Sequence, residues 1–151
     1  ISGSPSIVDS SRTVSITATD DNGSSSTTVT FPSVDVGAET VDFTTATALP
    51  SASAGQDINE TVVATGSQGS TPTYTFVSTS NTGNSNTSTA TPFTLTGNTI
   101  SGIAPRLLNA ATYSFEFQAS IQAGTVTNNR TFTLLISQDA TCISPTDNIC
   151  T

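Results

Sequence analysis

An all-β, antiparallel fold is what this sequence predicts, and three observations carry the prediction. Thr, Val, Ile and Phe alternate in short runs, the pattern of strands with one buried and one wet face. No stretch combines helical apolar spacing with helix-forming residues for long enough to make a helix of any size. The chain also repeats itself: Ile1-Ser2-Gly3-Ser4-Pro5 matches Ile100-Ser101-Gly102-Ile103-Ala104-Pro105, and Thr13-Val14-Ser15-Ile16 matches Thr112-Tyr113-Ser114-Phe115, both at an offset of 99 residues. The partner run Thr28-Val29-Thr30-Phe31 meets Thr131-Phe132-Thr133-Leu134 at an offset of 103. Residues 1–36 therefore read as the last strands of one module, 37–137 as a complete sandwich, and 138–151 as a tail.

In chain order, Thr13 to Ala18 alternates Val14, Ile16 and Ala18 against Thr13, Ser15 and Thr17, a half-buried strand. Asp20-Asp21-Asn22-Gly23 supplies turn chemistry, and 27–31 returns as its partner. Two strands cannot bury an apolar face by themselves, so something must cover Val14, Ile16, Val29 and Phe31. In the second module Val41 and Phe43 begin a strand that Leu49-Pro50 and Ala54-Gly55 break. Ile58 to Ala64 and Thr73 to Val77 follow as strands. The tract 78–91 has no apolar period and is expected to be a long exposed loop. Phe93 to Leu95, Thr99-Ile100, Thr112 to Ala119 and Arg130 to Ile136 complete the set, with 122–129 as a second exposed loop. Tyr113, Phe115, Phe117, Phe132, Leu134 and Ile136 are expected inside.

The order Gly97-Asn98-Thr99-Ile100-Ser101-Gly102, a nearby Pro105, then Ala111-Thr112-Tyr113-Ser114-Phe115-Glu116-Phe117, a polar hairpin and Arg130-Thr131-Phe132-Thr133-Leu134 resembles the Ig-like modules grouped with cadherin-like repeats. Ile103-Ala104-Pro105 departs from the Thr-Pro usual in that family, and the resemblance covers about half the chain. It implies an Ig-like β-sandwich of the kind found in bacterial surface proteins and phage structural proteins, where such modules act as spacers, adhesive units or decorations. Gly102 and Pro105 read as architecture, because glycine allows a backbone that a side chain forbids and proline ends strand pairing.

The charge of −8, with three Arg and no Lys, makes nucleic acid a very poor partner and disfavours an anionic membrane surface. No run of about 20 apolar residues is present to span a membrane. With no His there is no Ser-His-Asp or Cys-His arrangement, and Glu39, Glu60 and Glu116 read as solvated strand positions, so an enzyme is not expected. Asp20, Asp21 and Asn22 are the best candidates for calcium, since hard oxygen ligands stand close together, with Asp9 or Asp35 as helpers if the fold brings them near. The same tetrapeptide is equally a plain hairpin turn. Cys142 and Cys150 can close a small disulfide loop around Pro145, which suits an oxidising setting, or stay free or pair between chains.

The expected function is therefore a non-enzymatic structural module or subunit of an extracellular fibre, surface filament or virion appendage. Its first hairpin would be completed in cis by the following module, in trans by a neighbouring copy, or by a module ahead of Ile1. The alternative is an adhesive or carbohydrate-binding module that uses the loops 78–91 and 122–129 to attach to a surface glycan or receptor.

Overall fold

The computed structural model describes residues 9–24, 28–82 and 92–142. The chain is all-β and divides into two compact units, Ile1–Glu39 and Thr40–Thr151.

The first unit contains one antiparallel hairpin, β1 (Asp9–Ile16) and β2 (Val29–Val36), both reaching further from the turn than the alternation suggested. Val14 faces Phe31, Ser15 faces Thr30 and Ile16 faces Val29 across the ladder. On the polar side, hydroxyl pairs Ser15/Thr30 (3.1 Å) and Thr17/Thr28 (2.6 Å) link the strands. The apolar side, with Ile16 46%, Val29 55% and Phe31 46% exposed, is bare among the described residues.

The second unit holds β3 (Val41–Phe43), β4 (Asp57–Thr61), β5 (Ala64–Gly66), β6 (Thr73–Thr82), β7 (Phe93–Thr96), β8 (Thr99–Ile103), β9 (Ala111–Ile121) and β10 (Val126–Ile136). One layer has the order β10-β9-β6, and the facing strands pair as β4-β8-β7 and β3-β5, all antiparallel. The expected single strand from Ile58 to Ala64 is split at Val62–Val63, where the backbone changes partners. Val62 N–H donates to the Asn98 carbonyl at 2.9 Å, while the Val63 carbonyl accepts from Thr44 N–H at 2.8 Å.

β9 is the spine of this unit, and its burial alternates without a break: Ala111, Tyr113, Phe115, Phe117, Ala119 and Ile121 are buried, the residues between them half-buried. Two walls of the core meet edge to face, with Phe93 of β7 5.3 Å from Tyr113 and 5.8 Å from Phe115. Phe43 of β3 lies 5.2 Å from Phe132 of β10. Ile58, Ile100, Leu134 and Ile136 fill the rest. These apolar contacts are the main stabilising term for a sandwich of this size.

Glu39, expected solvated on a strand, is buried in a stretch outside any strand, and three further features differ from the sequence expectation. Residues 78–82 belong to β6 and do not begin a loop, and 83–91 lie outside the described residues. A bulge between Phe76 and Ser78 flips the parity of β6: before it Tyr74 packs against the core and Phe76, itself exposed, pairs with Phe117 across the ladder, and after it Thr79 and Asn81 lie half-buried. Residues 126–129 likewise belong to β10, which leaves a four-residue connection 122–125 in place of the loop 122–129. Finally, the segment 47–52, read as a break, runs parallel to β10. Leu49 N–H donates to the Thr133 carbonyl (2.8 Å), Thr133 N–H to Thr47 (2.7 Å), Ala52 N–H to Leu135 (2.9 Å) and Ser137 N–H to Ala52 (2.9 Å).

Candidate functional site

Asp20, Asp21 and Asn22 stand at the tip of the β1–β2 hairpin, all exposed. One carboxylate oxygen of Asp20, Oδ1, accepts the backbone N–H of Asn22 (3.0 Å) and of Ser24 (2.8 Å), and the Gly23 N–H donates to the Asp20 carbonyl (3.0 Å). Gly23 takes φ +78°, the conformation such a turn needs. That geometry gives Asp20 a local task as a turn cap. Asp9 and Asp35 do not join the cluster: Asp9 pairs with Val36 at the open end of the hairpin, a whole strand away from the tip, roughly 3.3 Å per residue. Calcium prefers six to eight oxygens, and the tip brings together three neighbouring side chains.

Cys142 is buried and its sulfur is held in a disulfide, while Cys150 lies outside the described residues. Just before it sits a clasp with no signal in the sequence. The Asp139 carboxylate accepts the Thr141 hydroxyl (2.6 Å) and N–H (2.9 Å) on Oδ1, and the Arg106 Nε–H (2.6 Å) on Oδ2. Asp139 N–H donates to the carbonyl of fully buried Leu107 (2.7 Å). The tail after β10 is thereby tied to the segment between β8 and β9. The Thr141 hydroxyl, Arg106 and the Thr141 N–H together hold the Asp139 pKa down to about 2.

The outer face of β10-β9-β6 carries a second network that spacing alone could not join. Ser78 Oγ–H donates to Glu116 (2.9 Å), Asn129 Nδ2–H to the other oxygen of Glu116 (3.2 Å), and Gln118 Nε2–H to Asn129 (3.0 Å). Glu116, expected opposite Phe115 and Phe117, is there, with hydroxyl and amide donors from both neighbouring strands. Such a ladder locks three strands in register and offers no acid paired with a base.

The bare apolar face of the first hairpin remains as the strongest candidate. Its pairing is that of β9–β10 under the same two offsets. Val14/Phe31 maps onto Tyr113/Leu134, Ser15/Thr30 onto Ser114/Thr133, and Ile16/Val29 onto Phe115/Phe132. In the second unit Tyr113 is 2% exposed, and Phe115, Phe132 and Leu134 are fully buried. One register thus occurs twice, once covered and once open. Searches with protein-family models, against curated proteins and against solved structures find no match for the chain.

Proposed function

We propose that the chain is a non-enzymatic structural module or subunit of an extracellular fibre, surface filament or virion appendage, and that its first hairpin is a completion site for strands supplied from outside the described residues. The observation that carries this reading is the open face of Ile16, Val29 and Phe31, in the register of a hairpin that elsewhere in the chain forms a sandwich core. Exposed apolar strand pairs with free edges are normally managed by pairing or covering, and strand addition is a known way to build linear assemblies. The strand order β4-β8-β7 over β10-β9-β6, with 47–52 parallel to β10, supports an Ig-like sandwich. The surface suits a spacer: few charges, no Lys, and sheet faces of Thr, Ser and Asn.

Deleting residues 1–36 tests the proposal. Assembly measured by light scattering or electron microscopy is expected to disappear, while the second unit keeps its circular dichroism spectrum and melting transition; retained assembly sinks the reading. A second reading, adhesion through the loop end, draws on the exposed 122–125 turn, where Gln122 (φ 52°) and Ala123 (φ 54°) hold left-handed backbone without being glycine. Strain of that kind gathers at recognition sites. Replacing 122–125 by Asn-Gly would then abolish attachment to a surface glycan or receptor without touching assembly.

A further inference from the structure

We propose that the open face of the first hairpin is one wall of a sandwich whose opposite wall, a sheet with inward side chains bulkier than those of β4 and β7, lies ahead of it on the same polypeptide. This inference rests on the hairpin being a completion site and names what completes it.

Two other occupants fail on size. If two copies packed hairpin against hairpin, three half-exposed side chains each would bury on the order of 300 Å² per partner, against roughly 800 Å² in a stable interface. If the hairpin instead entered another copy's second unit in place of β9–β10, its side chains would be too small. Ile16 would stand where Phe115 stands, Val29 where Phe132 stands and Ala18 where Phe117 stands, and only Phe31 would exceed its counterpart, Leu134. Those three aromatic positions are fully buried, so each exchange would leave a cavity. A complement fitted to this hairpin must fill that volume from its own side; since Ile1 stands at the place of Ile100, the larger residues belong at the places of Ile58 and Phe93.

The repeat points to where the complement lies. Ile100-Ser101-Gly102 belongs to β8, the middle strand of the covering sheet β4-β8-β7. Ile1-Ser2-Gly3 repeats it at the offset of 99 that also relates Thr13 to Thr112, so the sequence order and spacing of β8 and β9 occur twice. The sequence that forms a covering strand in the second module thus stands ahead of the hairpin in both copies of the pattern, which puts the rest of the covering sheet on the same chain.

The test is thiol labelling of Val29→Cys, with Ile16→Cys as a second probe and Thr17→Cys, on the polar side, as the reference. Each is placed both in residues 1–151 and in the whole polypeptide encoded by the gene. In 1–151, Val29→Cys and Ile16→Cys are expected to react with iodoacetamide as fast as Thr17→Cys. In the whole polypeptide they should react on the order of 100-fold more slowly at every protein concentration, while the reference is unchanged. Protection that vanishes on dilution would overturn the same-chain source and leave the completion reading standing. Equal labelling at all concentrations, or a gene with no residues ahead of Ile1, would overturn the inference; equal labelling in the assembled protein would take the completion reading with it.

Discussion

Gly102 lies in β8 at φ +145°, where a Cβ would stand 2.8 Å from the Pro92 carbonyl oxygen and 3.3 Å from the Phe93 Cα. Both neighbours are backbone and cannot swing aside. Gly102→Ala should therefore destabilise the second unit by about 2–3 kcal/mol, combining a forbidden conformation with a clash, read as a lower urea midpoint at unchanged slope. Ala123 gives the opposite sign. It holds φ 54° in an exposed turn with nothing in the structure that requires a methyl group, so Ala123→Gly should raise the midpoint by about 0.5–1 kcal/mol, since glycine reaches that region without a Cβ penalty. The sequence motif announced the first of these positions. The second was hidden, because 122–125 reads as any polar loop until the register of β9 and β10 is known.

Among the elements, β9 and β10 were the most legible, because strict alternation from Tyr113 to Ala119 and from Phe132 to Ile136 leaves only one way to bury the aromatics. β6 was legible only to Val77. Its bulge moves the inward positions from even to odd numbers, so the half that follows loses its apolar signature and looks like loop. The clasp was not legible at all, since Arg106 and Asp139 are 33 residues apart and meet only through the fold. Its contribution has a definite sign with pH. An Asp carboxyl free in the unfolded chain titrates near 3.9, while Asp139 in the fold titrates at about 2, so its bonds stabilise the native state above pH ~4 and are lost as the pH falls towards 2. The melting temperature of the unaltered protein should exceed that of Asp139→Asn at pH 6, and the gap should close between pH 4 and pH 2.

At the scale of the whole molecule, the repeat was the most informative signal, because it set two hairpins side by side before either fold was known. What it could not convey is that one hairpin is buried while the other, among the described residues, is half-exposed; exposure depends on which strands are present to cover it, and that is not encoded in the hairpin itself. The parallel run of 47–52 beside β10 was missed for the converse reason: Pro50 and Gly55 look like breakers, yet the four hydrogen bonds there use other residues' N–H groups. That run has a mechanical consequence. In a module held in a filament by its two ends, tension passes β3, reaches the segment 47–52 on one side and leaves through β10 on the other. Because these neighbours are parallel, the pull slides them lengthwise, and the bonds at Thr47, Leu49, Ala52, Thr133, Leu135 and Ser137 bear the load together and not in succession. Stretched from its ends in a single-molecule experiment, the second unit should resist as one clamp and give way in one step, whereas pulling across the β9–β10 turn should peel it open at far lower force.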